Sequence, residues 1–306
     1  MTERPLKNVA ASVRQRLMNS AKASGRPFQE VLQYFAMERF LYRLSQSPHA
    51  ERFILKGALL FNLWGAPSSR PTRDIDLLGR LNNSVDALVS VFRDVCQLAV
   101  EPDGLVFAVE SVAGQAIKED ADYSGVRVTF QAFLENAHVP MQIDIGFGDT
   151  VVPDAGFADY PTILDHSQPR LRAYPKETVV AEKFEAMVKL GQLNSRLKDF
   201  FDLWLLSQQF AFDGTMLASA VSQTFQNRHT AINPQPIALT AAFANDPIKQ
   251  MQWKGFLRKS RLDTAPPKLT DVIDAIGGFL LPLASVLADG RTFDSTWQPM
   301  GPWRNT

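Results

Sequence analysis

Asp74-Ile75-Asp76 is the triplet in this 306-residue chain whose residue types and spacing most directly suggest chemistry. In an extended strand alternate side chains share a face, so the two carboxylates point one way while Ile75 and Leu77 point into a core. Neighbouring carboxylates repel, and a cation between them removes that cost. A hard divalent ion with oxygen ligands, Mg2+ or Mn2+, suits the pair and leaves positions open for substrate phosphates. Upstream, Phe53-Ile-Leu reads as a strand that enters a Lys56-Gly57-Ala58 turn, then a short apolar helix and a Pro/Ser loop. Glycine at a strand-to-helix junction lets backbone N–H groups approach phosphate oxygens, and the start of the helix favours an anion. Lys56 adds a positive charge beside them. Each piece alone has a plainer reading, a half-exposed strand with solvated acids and an ordinary turn.

A third acid follows on a strand of its own. Val126 to Phe133 alternates, a turn spans Glu135 to His138, and Met141 to Phe147 alternates again with Gln142 and Asp144 facing outward. These read as a hairpin built onto the strand of Asp74 and Asp76. Asp144, flanked by isoleucines, is the candidate third metal carboxylate; the alternative is an exposed strand residue.

Further along, Tyr174-Pro175-Lys176-Glu177 opens a helix with Val179, Val180, Phe184, Met187 and Val188 on one arc, and Lys183 falls inside that arc. An inward lysine needs a carboxylate or phosphate opposite it, unless it snorkels from the rim. The next helix, from Arg196, is apolar nearly all round and carries Asp199 and Asp202 on one flank. A catalytic pocket would explain these acids, as would an internal Lys198–Asp202 pair.

Helices are expected around Val9 to Leu17, from Pro27 to Leu44 and over Val85 to Leu98, with a strand over Leu105 to Val112. Gly146 to Arg172 is a punctuated connection without a clear period and a plausible boundary. That divides the chain into a core of residues 1–150 and a mainly helical domain of 151–306, the latter contributing Lys183 and Asp199 to the active site. Beyond Asp213, helices are expected over Thr215 to Phe225, Ile237 to Ala244, Pro247 to Leu257 and Leu269 to Leu287. An irregular packed cap holds Trp297 and Trp303. Lys249, Lys254, Arg258, Lys259 and Arg261 form the densest basic cluster, suited to RNA phosphates or simply a charged helix end.

With 45% hydrophobic and 21% charged residues the composition is that of a globular protein, and the zero net charge excludes binding nucleic acid through overall positive charge. Residues 1–43 hold eight Arg/Lys against three Glu, a local surplus that fits a solvated helical face or a nucleic-acid contact. Cys96 is the single cysteine, so no intramolecular disulfide or cysteine zinc cluster can form, which suits a reducing compartment. The first residues lack an apolar signal core. The longest apolar run, Ile276 to Ala284, is too short and broken to span a bilayer. A cytoplasmic protein with no membrane partner is expected.

Several segments together resemble the AbiEii/AbiGii toxin family of nucleotidyltransferases: Glu38 to Leu44, Phe53-Ile-Leu-Lys-Gly-Ala, Arg70-Pro-Thr-Arg-Asp-Ile-Asp-Leu, Gln142-Ile-Asp-Ile, Pro175-Lys-Glu through Lys183, and Arg196-Leu-Lys-Asp-Phe-Phe-Asp. The resemblance implies an α+β fold, a polymerase-beta-like nucleotidyltransferase core with a mixed sheet flanked by helices, and a helical C-terminal domain. It implies that Gly57 and its neighbours Lys56 and Ala58 hold the triphosphate of an NTP, that Asp74 and Asp76 bind metal, that Lys183 contacts phosphate and that Asp199 is an essential acid. Thr72, Arg73 and Asp202 are further candidates for nucleotide contacts. Gly57-Ala58 stands where Gly-Ser or Gly-Gly is usual, so a serine hydroxyl donor is missing while the backbone donors remain. The implied function is a toxin that transfers NMP to RNA, at the 3′ end of tRNA, and stops translation, paired with a cognate antitoxin encoded alongside. The alternatives are a nucleotidyltransferase acting on a small molecule or a protein, and an inactive nucleotide- or partner-binding protein.

Overall fold

The computed structural model describes residues 8–66, 70–120 and 123–305, with side chains described outside 118–124. The first seven residues, the middle of the Pro/Ser loop and Thr306 lie outside the described residues. Contacts divide the chain into two units. The first comprises Met1–Trp64, Thr72–Gly148 and Gly156–Ala173, and the second Gly65–Pro71, Asp149–Ala155 and Tyr174–Thr306.

The first unit begins with two helices. In α1 (Val9–Ser24) the Asn8 side chain caps the first turn by accepting from the Ala11 N–H, and Gly25 at φ 68° ends it in the left-handed region. Pro27 sets the entry to α2 (Phe28–Gln46). There follow β1 (Phe53–Lys56), α3 (Leu59–Leu63), β2 (Ile75–Gly79), α4 (Val85–Gln97), β3 (Leu105–Asp120), β4 (Tyr123–Leu134), β5 (Ala137–Phe147), β6 (Gly156–Asp159) and β7 (Arg170–Ala173). Their seven-stranded sheet has the order β3-β4-β5-β2-β1-β7-β6. It is mixed: β5 pairs with β2, and β1 with β7, in parallel, whereas the other neighbours are antiparallel.

The alternation expected of β4 and β5 is realised, since Val126, Val128, Met141, Ile143 and Ile145 are all buried. The register sets Ile75 beside Ile143 and Ile143 beside Val128, all on one face. Phe130 on that face meets Phe40 of α2, which stacks on Phe92 of α4. This apolar face with α2 and α4 above it is the unit's core. The opposite face is left for Asp76 and Asp144. A buried charge network fixes α2: Arg43 donates to both Asp103 oxygens at 2.6 and 3.1 Å, and Arg39 donates to Asp103 and Glu101, each at 3.2 Å.

Two expectations for this unit need correction. Residues 146–172 are more than a punctuated connection, because β6 and most of β7 lie within them and extend the sheet beyond β1; four-residue strands are too short to display a period. The strand expected to stop at Val112 runs to Asp120, through a register shift between Ala108 and Ala113 that breaks its alternation.

The second unit is built from α5 (Lys176–Leu190), α6 (Leu197–Gln209), β8 (Phe212–Asp213), α7 (Gly214–Asn227), α8 (Ala241–Asn245), α9 (Pro247–Ser260), α10 (Leu269–Ala288), β9 (Ser295–Trp297) and β10 (Trp303–Asn305). The helix expected over Ile237 to Ala244 is split at Thr240, whose side chain caps α8. The tail is not irregular: β8, β9 and β10 form a three-stranded sheet, with Trp297 buried and Trp303 stacked on Phe279. The Ile276 to Ala284 run belongs to an unbroken 20-residue helix, α10, despite Gly277, Gly278 and Pro282. By length and composition it is the one helix among the described residues that could cross a membrane. It instead packs on α6, α7 and α8, burying Ile273, Ile276, Leu280 and Leu283.

Candidate active site

The sheet register aligns the candidate residues of the first unit in one row. Lys56 of β1 lies opposite Asp76 of β2, Asp76 opposite Asp144 of β5, and Asp144 opposite Arg127 of β4. Directly paired residues share a face, so the row reads cation, acid, acid, cation across four strands. Asp74 lies just before the first residue of β2 rather than inside it. Even so, carboxylate oxygens of Asp74, Asp76 and Asp144 lie within 4.8 Å of one another.

Each acid is held in place. The Thr72 hydroxyl donates to Asp74 Oδ1, and the Thr72 N–H donates to the Tyr34 hydroxyl of α2 at 3.0 Å. Gln33, one residue earlier, donates through Nε2 to the carbonyls of Pro140 and Arg73, fixing the loop before β2 against the start of β5. Gly57 has φ 75°, and a Cβ there would overlap the Asp76 carboxylate, so glycine is required both by the backbone and by the acid. Asp144 is buried and grips Arg127 through two parallel bonds of 2.8 Å from Nε and Nη2. That pairing, with Asp74 and Asp76 nearby, holds the Arg127 guanidinium above its ordinary pKa.

Three carboxylates this close carry more negative charge than Arg127 neutralises. Their all-oxygen donor set suits a hard divalent cation such as Mg2+ or Mn2+, so the residues fit the metal expected from the sequence. Of the remaining candidates in this unit, Ala58 is buried, Lys56 is half-buried and Arg73 is exposed on the loop before Asp74.

The second unit gathers its own candidates. The Lys183 ammonium on α5 lies 2.6 Å from Asp199 Oδ1 and 2.8 Å from Asp202 Oδ2, both on α6. The expected partner of the inward lysine is thus a pair of carboxylates. Asp202 is also held by Arg70 through Nε and Nη2, at 2.9 and 3.0 Å, and Arg196 Nε lies 2.9 Å from Asp199 Oδ2. Lys198 is exposed, and Asp202 takes Lys183 and Arg70 instead of the i,i+4 pair. Burial pushes the Asp199 carboxyl up, but Lys183 and Arg196 outweigh it and bring it down to about 2. Burial likewise pulls Lys183 down, and the two aspartates more than reverse it, so the lysine is held charged.

Sequence reasoning missed Arg127, Tyr34 and Gln33. Arg127 stands between two valines as any outward strand residue would, and only the β4–β5 register reveals its partner. Tyr34 and Gln33 sit in a helix read as amphipathic, where no local pattern sets them apart, and their burial is seen only in the structure. Arg70 was quoted within a motif but given no role.

A model of the family described as nucleotidyl transferase AbiEii toxin, type IV TA system, matches residues 39–275. Among solved structures, JHP933 from Helicobacter pylori aligns at 15% identity over 86% of this chain and 93% of its own, with a TM-score of 0.49. A proposed nucleotidyltransferase from H. pylori aligns at 15% identity over 86% and 96%, with a TM-score of 0.46. No curated protein matches the sequence significantly.

Proposed function

Because this chain belongs to the AbiEii nucleotidyl transferase toxin family of type IV toxin–antitoxin systems, and is thus a nucleotidyltransferase, we propose that it transfers NMP from an NTP to the 3′ end of tRNA and so blocks translation. The observation that carries the reading is the convergence of Asp74, Asp76 and Asp144 within 4.8 Å, flanked in register by Lys56 and Arg127. The three acids would hold Mg2+ or Mn2+. When bound, the ion supplies Lewis-acid stabilisation of phosphate charge and acidifies the attacking hydroxyl.

The chain's own residues do the remaining work. Thr72 orients Asp74, and Gly57, lacking a Cβ, leaves the Asp76 carboxylate its position. The backbone N–H groups at Gly57 and Ala58 are donors for the triphosphate. The helix that follows is five residues long, so its dipole adds little and Lys56 and Arg73 supply the positive charge. Lys183 has three N–H donors, two of which meet Asp199 and Asp202 among the described residues, and the third is the donor proposed for a phosphate oxygen. With a pKa of about 2, Asp199 is a poor proton acceptor at neutral pH, which favours its holding Lys183 over acting as general base. Asp202 serves the same end by fixing Lys183 and Arg70.

The family implies a cognate antitoxin, which we propose is encoded beside this gene, and the proposed use of NTP and tRNA is the support for a cytoplasmic toxin. The test is incubation of the purified protein with total tRNA, Mg2+ and each labelled NTP, next to Asp74→Ala, resolved on a denaturing gel. Label on tRNA that is absent with the variant is expected. Absence of label with every NTP would overturn the RNA acceptor and move the search to small molecules or proteins.

A further inference from the structure

We propose that the outward face of α9 is an RNA-docking groove that grips the acceptor's phosphate backbone, an inference that rests on the RNA reading above. The helix is anchored on one side. Trp253 is fully buried and donates through Nε1 to the Pro266 carbonyl at 2.9 Å, and Phe256 packs against both Trp253 and Phe201. Lys249, grouped with the basic cluster in the sequence, is also on the anchored side: it is buried, donates to the Asn194 carbonyl at 2.7 Å and lies over the Phe243 ring. The cluster available to a ligand is therefore Lys254, Arg258, Lys259 and Arg261, all exposed.

At helical spacing Pro247, Met251, Lys254, Gly255 and Arg258 fall opposite Trp253, and with Gln250 they line an open groove of about 600 Å3. Three features there lack an internal explanation. Gly255 lies in the helix interior with helical backbone, where glycine weakens a helix, and a Cβ on it would meet nothing within 4 Å. Met251 is 67% exposed. Lys254 lies before the last turn, so the helix dipole that accounts for Arg258 and Lys259 does not account for it. A backbone brought close to the helix at Gly255, with cations one turn apart on its flank and an apolar thioether beside them, explains all three.

The occupant is polyanionic. Between the capping Asp246 and Asp263 no acidic residue occurs, in a chain whose net charge is zero, so the outward face of α9 itself carries cations only. Cations spaced along one face suit the repeating phosphates of RNA, each of which a Lys or Arg neutralises with release of counterions. Met251 then offers a polarizable surface to an unstacked base.

The experiment measures the affinity of the full chain for fluorescent total tRNA by anisotropy across a salt series. Wild type is compared with Lys254→Glu/Arg258→Glu and with Gly255→Gln, which fills the groove without changing charge. Protection by Mg2+ and NTP in thermal melting shows that each variant is folded and still binds nucleotide. The expected result is at least a tenfold loss of tRNA affinity in the charge-reversal variant and a several-fold loss in Gly255→Gln. The charge reversal should also make the slope of log affinity against log salt shallower by about 0.7 per lost phosphate contact. Wild-type affinity and slope in both variants would overturn the groove while leaving RNA as the acceptor. Failure of the wild type to bind tRNA would overturn both readings. Displacement of tRNA by poly-glutamate at equal charge concentration would overturn the RNA assignment of the groove in favour of an acidic protein.

Discussion

A side chain at residue 57 has nowhere to go: the backbone is left-handed at φ 75° and the Asp76 carboxylate fills the space a Cβ would take. Gly57→Ala therefore carries a backbone cost of about 1–2 kcal/mol and also displaces the Asp76 carboxylate, the acid we propose binds metal. The expected outcome is a melting temperature lowered by a few degrees and transfer reduced on the order of 10²-fold, since misplacement of about 1 Å suffices for that. Wild-type transfer by Gly57→Ala would detach Asp76 from the chemistry. Arg127 calls for a different test. It is the cation that holds Asp144, so Arg127→Gln should bind Mn2+ more tightly in titration calorimetry and melt lower in metal-free buffer. Weaker Mn2+ binding would instead make Arg127 the strut that aims Asp144 at the ion.

Between elements, α5 and α6 are joined by the ion pairs of Lys183 with Asp199 and Asp202. Removing one partner of a buried ionic group leaves the other uncompensated, so Lys183→Met should cost about 3–5 kcal/mol in urea unfolding, with part recovered in Lys183→Met/Asp199→Asn. Acid should act through the same cluster. Asp199 is lowered from 3.8 to about 2 in the folded chain, so its contribution, on the order of 2 kcal/mol, is fully present above pH 3.8. It is lost as pH falls towards about 2. Denaturant unfolding from pH 5 down to pH 2 should show that loss in wild type and a flatter profile in Asp199→Asn. Equal slopes would show that Asp199 is not held ionised by its neighbours.

At the scale of the molecule, the first unit's sheet is completed by strands that lie after a segment of the second unit. Residues 149–155 belong to the second unit, and β6 and β7 then return to pair beside β1. A fragment ending at Gly148 loses both strands and exposes the edge of β1, a hazard for aggregation. One ending at Ala173 keeps all seven. Size-exclusion chromatography and circular dichroism should find the longer fragment compact with strand signal and the shorter one aggregated. A compact 1–148 fragment would show that β6 and β7 are dispensable.

What the sequence determined by itself were the features written in local pattern. Period-two alternation marked β4 and β5, helical periodicity marked α2 and α5, a nearly all-round apolar run marked α6, and the inward position of Lys183 implied an anionic partner. Asp74 and Asp76 could be singled out only through the order of strand, glycine turn, short helix and paired acids, since the triplet alone reads equally as a half-exposed strand with solvated charges. Tertiary structure alone decided which strands became neighbours. Only the parallel pairing of β2 with β5 sets Asp76 beside Asp144, and only the β4 register places Arg127 next to it, because register depends on contacts between residues far apart in the chain. The same holds for Asp202, which took Arg70 from 132 residues away over Lys198 four residues before it. It holds too for the short strands β6 and β7, whose pairing to the sheet came from the edge they cover and from no pattern of their own.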